Sequence, residues 1–317
     1  MKANFIATVA ALVLTGLPVM AEEYPDHAIR VIVPHGAGGS TDIMTRLVSK
    51  PLSEQLGQGI AVVNVPGGGT SIGAQQAANA KADGYTLALT HIALLTSSAM
   101  GANPLGPESL TPIAQIGSET QIIAVPTDSE VDDLKEFMSL AASETSEQLK
   151  LGVSPGAGNH FAFLRMLRPI EENDVIFVPT GGGGPSMHEL LGKHIDVGTF
   201  VVSEAIDQIQ AGNIRPLAVF SKERHPDLSD VPTAAEQGYD MEIGLNYVLY
   251  GPKDIPEDRV AVLSDAVKAT LDNEDFQKEM LSRSIEPAFA TGEPLKTSLE
   301  ETWVTIQELA SGLQGSQ

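Results

Sequence analysis

The chain lacks cysteine entirely: none occurs among its 317 residues. It therefore cannot form disulfides, carry a lipid on an acylated cysteine or act through a thiol nucleophile. Basic residues are also few, with 19 Lys and Arg against 41 Asp and Glu, which gives a formal net charge of −22 at pH 7. Because nucleic acids and anionic membranes bind positively charged surfaces, this charge argues against both as partners.

Long hydrophobic runs are absent after the N-terminus, so no later segment is predicted to cross a membrane. An apolar run at residues 5–17 follows a single charge at Lys2 and precedes Pro18 and a small-residue triplet that ends at Ala21. This run is shorter than the ~20 residues that a membrane span needs. The pattern predicts a secretory signal over residues 1–21, with cleavage after Ala21.

Common cofactor and catalytic motifs are missing as well. The chain contains neither G-x-G-x-x-G nor G-x-x-x-x-G-K-[ST], and its 7 histidines form no H-E-x-x-H pair, so we expect no cofactor and no metal. A G-x-S-x-G nucleophile elbow is also missing. Because a catalytic triad can assemble from distant parts of a chain, a secreted serine hydrolase that uses Ser154 and His160 remains an alternative.

The most prominent feature of the sequence is a set of three glycine-rich turns. At residues 31–40, 151–160 and 177–184 a short apolar, β-branched run is followed by glycines and then by a helical period of apolar residues. Each of these three segments predicts a strand that is followed by a loop and then a helix. Glycine lets a ligand approach the backbone closely, and the first N–H groups of a helix have no partner inside it, so each turn is a potential anion site. Such turns also occur as simple tight connections.

Alternation of these elements along the chain predicts an α/β fold with a mostly parallel sheet. Ser40 or Thr41 is expected to cap the first helix, with Asp42 in its first turn, and Pro51 is expected to kink or end it. A central segment bracketed by two strands indicates a second lobe inserted into the first. Strands are predicted at 29–33, 60–65, 86–90, 121–125, 195–202 and 217–220, a loop at 104–112, and helices at 72–80, 131–142, 258–271 and 300–309.

Several short motifs together carry a family resemblance. The chain resembles the periplasmic solute receptors of tripartite tricarboxylate transporters, often called the Bug family, from residue 24 essentially to the C-terminus. The motifs that carry it are IRVIVP at 29–34, GGSTD at 38–42, PGGGTSIG at 66–73, DGYTL at 83–87, HFA at 160–162, VPT at 178–180, AGNIRPLAV at 211–219 and DVPTAAEQG at 230–238.

The resemblance implies a two-lobed α/β periplasmic binding protein of type II, with a ligand cleft between the lobes. Residues 22–122 and 221–317 are expected to form lobe 1, and residues 123–220 lobe 2. Such a receptor binds a small organic carboxylate in the periplasm and delivers it to a two-component membrane permease. It is not an enzyme, and it is expected to act as a monomer.

The resemblance also implies which residues bind the ligand. In this family a ligand carboxylate is held largely by backbone N–H groups, small hydroxyls and water between loops of the two lobes. His35 stands where the family usually carries a bulky aromatic residue. Carried over to this sequence, the expected ligand-binding residues are His35, Gly36, Ala37, Gly38, Gly39 and Asp42 in the first loop, Gly68, Gly69 and Thr70 in the second, and Ser154, Asn159, His160, Thr180, Gly181 and Phe200 in the other lobe.

Overall fold

A computed structural model describes residues 24–143, 148–170 and 175–314 of the chain. The predicted signal, residues 1–21, lies outside the described residues. Within them, strands and helices alternate as expected for an α/β protein, which confirms that fold class. None of the helices in these ranges is both long enough and apolar enough to cross a membrane.

The elements are numbered in chain order. The strands are β1 (Ile29–Val33), β2 (Ile60–Asn64), β3 (Thr86–Thr90), β4 (Leu110–Pro126), β5 (Leu149–Val153), β6 (Val175–Pro179), β7 (Val197–Val201), β8 (Ile214–Val219), β9 (Gly244–Pro252) and β10 (Glu286–Thr291). The helices are α1 (Ser40–Leu56), α2 (Ser71–Ala78), α3 (Ala93–Ala99), α4 (Leu134–Ala141), α5 (Gly158–Leu167), α6 (Gly183–Leu191), α7 (Val202–Gln210), α8 (Glu257–Leu271), α9 (Glu274–Leu281) and α10 (Gly292–Gln314).

The strands follow the order β2-β1-β3-β9-β4-β7-β5-β6, with β8 and β10 also paired to β4. Pairing is parallel among β1, β2 and β3 and again among β5, β6 and β7. The strands β9 and β4 run antiparallel to their neighbours and join these two groups. The prediction of a mostly parallel sheet is therefore wrong for the centre, because its strands carry the chain back between the groups.

Strand β4 belongs to both parts of the sheet. It is 17 residues long. Its residues 110–120 pair with β9 and β10, whereas residues 121–126 pair with β7 and β8. We call β1, β2, β3, β9, β10 and residues 110–120 the first half of the sheet, and β5 to β8 with residues 121–126 the second half. A single continuous strand thus connects the two halves.

Each half has its own apolar core. In the first half, side chains such as Val31, Leu89 and Leu249 pack together. In the second half, Leu151 and Phe163 belong to a separate cluster. Burial of these side chains is the main favourable term that holds each half together. The boundary between the cores falls along β4.

The segment that follows β8 packs with the second half. Ala234, Met241 and Ile243 belong to the same buried cluster as Phe163. The Ile243 N–H donates to the Phe220 carbonyl at 3.0 Å, so the segment also adds to the hydrogen bonding beside β4. The chain returns to the first half only at β9.

The expected start of α1 is wrong in one respect. Gly39, with an extended backbone, occupies the cap position, and no side chain caps this helix. Ser40 and Thr41 are already inside the helix, and Asp42 lies in its first turn as expected. The glycine turn therefore runs directly into α1 and leaves the N-terminal N–H groups without a local acceptor.

Two prolines lie inside elements that the sequence did not lead us to expect to continue through them. Pro51 lies inside α1, which continues to Leu56. Val48 and Leu52 on either side of it are buried in the first core, and tertiary packing of this kind outweighs the cost of one missing helix hydrogen bond. Pro112 lies within β4 rather than in a loop, next to a register shift between Pro112 and Ala114 that accommodates a residue without an N–H.

Phe137 offers a test of the second core. It is fully buried on α4, and its ring centroid lies 6.5 Å from that of Phe163. We predict that Phe137→Ala lowers the free energy of unfolding by about 3–5 kcal/mol, because the change removes a large buried side chain and leaves a cavity. Val304→Ala, at a side chain that is 54% exposed, is the matched control and should change stability by less than about 0.5 kcal/mol. Urea denaturation measures both, and equal effects would contradict the assignment of this core.

Candidate functional site

A cavity of about 290 Å³ lies where the glycine turns that precede α1, α5 and α6 meet. These turns follow the carboxyl ends of β1, β5 and β6, the edge at which α/β sheets place their ligands. Many of the predicted ligand-binding residues line it: His35, Gly36, Ala37, Gly38, Gly39, Asn159, Gly181 and Phe200.

The N-termini of all three helices line this cavity. The residues before them, Gly39, Ala157 and Gly182, provide no side-chain cap, and none of the three helix starts has one. Each helix therefore presents N–H groups without an intrahelical partner, together with the positive end of its dipole. Three such ends at one cavity are suited to a negatively charged ligand group.

The first glycine turn is held in shape by Asp42. Gly38 has φ +81°, a left-handed conformation that favours glycine, and its N–H donates to Asp42 Oδ2 at 2.8 Å. The other oxygen, Oδ1, accepts from Arg46 Nε at 3.0 Å and from Asn64 Nδ2 at 2.9 Å. Burial raises the pKa of the Asp42 carboxyl, but these hydrogen bonds outweigh it and hold the pKa below its usual range. Asp42 supports the turn and does not line the cavity.

Two stacked histidines form part of the wall. The ring centroids of His35 and His91 are 4.6 Å apart, and His35 Nε2 is 3.1 Å from Thr90 Oγ1. Burial lowers the pKa of His35 to about 4 and, together with the neighbouring His35, lowers that of His91 well below its usual value. Both rings are therefore neutral at pH 7 and contribute no positive charge.

Two buried amide side chains in the wall have unpaired polar atoms. Asn159 Oδ1 accepts from the backbone N–H groups of Ser154 at 3.1 Å and His160 at 2.9 Å, whereas its Nδ2 has no partner within the described chain. Gln121 Oε1 is also buried and unpaired among those residues. Both residues line the cavity, and each of these atoms lacks the partner that a buried polar group normally has.

Glu204, on the first turn of α7, is the acidic side chain of the wall. Burial raises the pKa of its carboxyl. The backbone and hydroxyl of Ser40 and the backbone of Val201 lower this pKa and offset part of the rise. The carboxyl lies so close to α6 that a Cβ on Gly183 would be 2.1 Å from Glu204 Oε2. No Lys or Arg of the described residues lines the cavity.

The remaining predicted residues lie outside the cavity. Gly69 and Thr70 contact α3, where Thr70 Oγ1 is 3.3 Å from Ser97 Oγ. Gly156, in the turn before α5, packs against the same serine, and a Cβ on Gly69 would be 3.6 Å from the Pro155 carbonyl oxygen of that turn. The second glycine loop thus packs against both α3 and this turn. The predicted residues that do not line the cavity are Asp42, Gly68, Gly69, Thr70, Ser154, His160 and Thr180.

The arrangement of Ser154 and His160 does not fit a hydrolase. Ser154 Oγ is buried and has no hydrogen-bond partner in the described part of the chain. His160 Nδ1 accepts from the Gly156 N–H at 3.2 Å, and its ring packs edge-on against Phe177 at 5.2 Å. A serine nucleophile needs a base within hydrogen-bond reach, and this pair is not formed.

Several lining residues were not predicted from the sequence. His91 directly follows β3, so its position after a strand was an available signal. Gln121 and Thr199 are polar residues within otherwise buried strand segments, a second signal. The lining residues missed in this way include Ser40, Thr41, His91, Gln121, Thr199 and Glu204.

A larger groove of about 790 Å³ is also present and shares His91 with the cavity. Side chains of both charges line it, with Arg165, Lys222 and Arg224 against Glu242 and several other acids. None of the glycine turns reaches it. The described residues contain no cluster of three or more metal-ligating side chains. The smaller cavity is therefore the site with a recognisable chemistry.

Comparisons with known proteins identify the family. The family model described as "Tripartite tricarboxylate transporter family receptor" matches residues 44–303. Protein BugT of Bordetella pertussis is 28% identical over 293 residues, covering 90% of this chain and 88% of BugT.

Solved structures show the same fold. The periplasmic binding protein BugD superposes with a TM-score of 0.82 at 28% identity, covering 91% of this chain and 98% of BugD. MatC from Rhodopseudomonas palustris, with bound malate, has a TM-score of 0.81 at 25% identity and covers 90% of this chain and 100% of MatC. The two-lobed binding-protein fold expected from the sequence is thereby confirmed.

Asp42 gives a pH-dependent test of the first turn. We predict that Asp42→Asn lowers the free energy of unfolding by about 1–3 kcal/mol at pH 7, because a buried carboxylate loses charge-assisted hydrogen bonds. A depressed folded-state pKa stabilises the fold above the unfolded value of about 3.9, and this contribution is lost as the pH falls through the folded value. The difference between wild type and variant should therefore shrink below about pH 4. Urea denaturation from pH 7 to pH 3 measures it, and a constant difference would contradict the role of the charge.

Proposed function

This chain belongs to the tripartite tricarboxylate transporter receptors, and we propose that it binds a small organic carboxylate in the cavity between α1, α5 and α6. The family consists of periplasmic solute-binding proteins rather than enzymes. Membership of this family argues against the hydrolase alternative, and so does the geometry of Ser154 and His160. The carboxylate class is supported by MatC, whose structure holds malate.

The observation that carries the proposal is the convergence of three uncapped helix N-termini on one cavity. Backbone N–H groups bind an anion without any basic side chain. The strong net negative charge of the chain is therefore compatible with an anionic ligand group. Asn159 Nδ2 adds a side-chain donor at the same place.

We assign two roles to the predicted site residues. Those that line the cavity contact the ligand, with Ser40, Thr41, His91, Gln121, Thr199 and Glu204 added to them. Those behind it, such as Asp42 and Thr70, hold the turns in place through their hydrogen bonds. A carboxylate in the cavity would then be bound by groups whose geometry is fixed before it arrives, which lowers the cost of binding.

The division into lobes follows the two cores. Because residues 221–243 pack with the second core, we place the boundary near residue 243 instead of residue 220. Lobe 1 then comprises residues 22–120 and 244–317, and lobe 2 residues 121–243. Closure of the lobes about β4 and the start of β9 would exclude water from the ligand and present one shape to the permease.

Delivery completes the proposed function. Residues 1–21 would direct secretion and be removed, so the mature chain would begin at Glu22. The mature protein would act as a monomer in the periplasm and hand its ligand to a two-component membrane permease.

Asn159 provides the sharpest test. Asn159→Asp keeps the Oδ1 acceptor for the N–H groups of Ser154 and His160 but replaces the free Nδ2 donor with a second carboxylate oxygen. We predict an affinity for the bound acid that is about 10- to 100-fold lower, since a charge-assisted hydrogen bond is lost and a like charge is added. Isothermal titration calorimetry measures the change after a thermal-shift panel of organic acids has identified the ligand.

A control separates this effect from general instability. Asp196 lies at an exposed position outside the cavity, so Asp196→Asn should leave the affinity for the acid unchanged. If no acid of the panel raises the melting temperature of refolded, ligand-free protein, the receptor proposal is wrong. Unchanged affinity in Asn159→Asp would remove this cavity as the carboxylate site.

A further inference from the structure

We infer that the ligand is zwitterionic, with a protonated amine in addition to its carboxylate, and that Glu204 is the residue that binds the amine. This inference rests on the proposed function. It goes beyond it by naming a second ligand group and the residue that selects for it.

The lining of the cavity carries acceptors that an anion cannot satisfy. Glu204 and Gln121 both line the cavity, and Gln121 Oε1 has no partner among the described residues. His35 and His91 are neutral, and the described residues place no Lys or Arg in the wall. A second carboxylate on the ligand would therefore meet no cation and would face a carboxyl group, which is costly in a closed cavity. An ammonium group would instead pair with the Glu204 carboxyl.

Glu204 is also in the right place to contact such a ligand. Its carboxyl lies against Gly183, the first residue of α6, and it lines the cavity beside Ser40, the first residue of α1. These are two of the helix ends to which the ligand carboxylate is assigned. A ligand with an amine close to its carboxylate can bind both groups there.

A purely structural role for Glu204 makes a different prediction. Glu204 is the third residue of α7 and interacts with the backbone of Val201, which precedes that helix, as in a capping box. A residue that only caps α7 affects all ligands alike. A residue that binds the amine affects only ligands that carry one. Selectivity between matched acids therefore separates the two roles.

The test compares matched probes. The standard L-amino acids are screened by thermal shift at pH 7, each with its deamino counterpart in which hydrogen replaces the amine, together with malate and adipate. We expect at least one amino acid to raise the melting temperature and to bind at least 10-fold more tightly than its deamino counterpart. Glu204→Gln should lower the affinity for that amino acid at least 10-fold, as measured by calorimetry. It should change the affinity for the deamino acid less than 3-fold. Glu54→Gln makes the same change of charge at an exposed position of α1 and should alter neither affinity.

Three outcomes would overturn the inference. Tighter binding of malate or adipate than of every amine-bearing acid would refute it and leave the receptor function intact. Equal weakening of both matched probes in Glu204→Gln would assign Glu204 to helix capping. Absence of binding by any acid would refute the receptor function and the inference together. If Glu204→Gln does not fold, the affinities of the wild-type protein test the inference. Equal affinity for each amino acid and its deamino counterpart would then refute it.

Discussion

The site depends on one constraint: backbone N–H groups at the start of a helix need an acceptor, and three helices here leave theirs facing the same cavity. Without side-chain caps on α1, α5 or α6, the turns before them must be glycine-rich so that a ligand can reach the backbone. The parallel strands β1, β5 and β6 deliver these turns to one region because their carboxyl ends point towards it. Asp42 then fixes the first turn from behind. An acidic chain can in this way bind an acid.

The long strand β4 explains how two halves of the molecule can share this cavity. It contributes Gln121 to the wall at the point where its pairing changes from β9 and β10 to β7 and β8. The turn before α1 comes from the first half, and the turns before α5 and α6 come from the second. A ligand between them contacts both cores at once, so binding energy is available to favour one relative arrangement of the halves.

Much of this could be predicted from the sequence, because glycine turns after apolar runs have a local signature. Among the residues predicted to bind the ligand, those of the first turn, Asn159, Gly181 and Phe200 line the cavity. Local patterns do not reveal which loops face each other, and so Thr70 was assigned to the ligand although it packs against α3. The strand β9 was missed because its residues are nearly all buried and it follows a segment without helical or strand period. The position of Glu204 in the cavity wall was missed for a related reason, because an acid in the first turn of a helix is typical of interactions with that helix's own N-terminus.

The most direct test of the account is a crystal structure of the protein with the acid that stabilises it in the thermal-shift panel. The account predicts carboxylate oxygens within about 2.7–3.2 Å of backbone nitrogens in the turns before α1 and α6 and of Asn159 Nδ2. A carboxylate bound instead in the larger groove, against Arg165, Lys222 or Arg224, would contradict it.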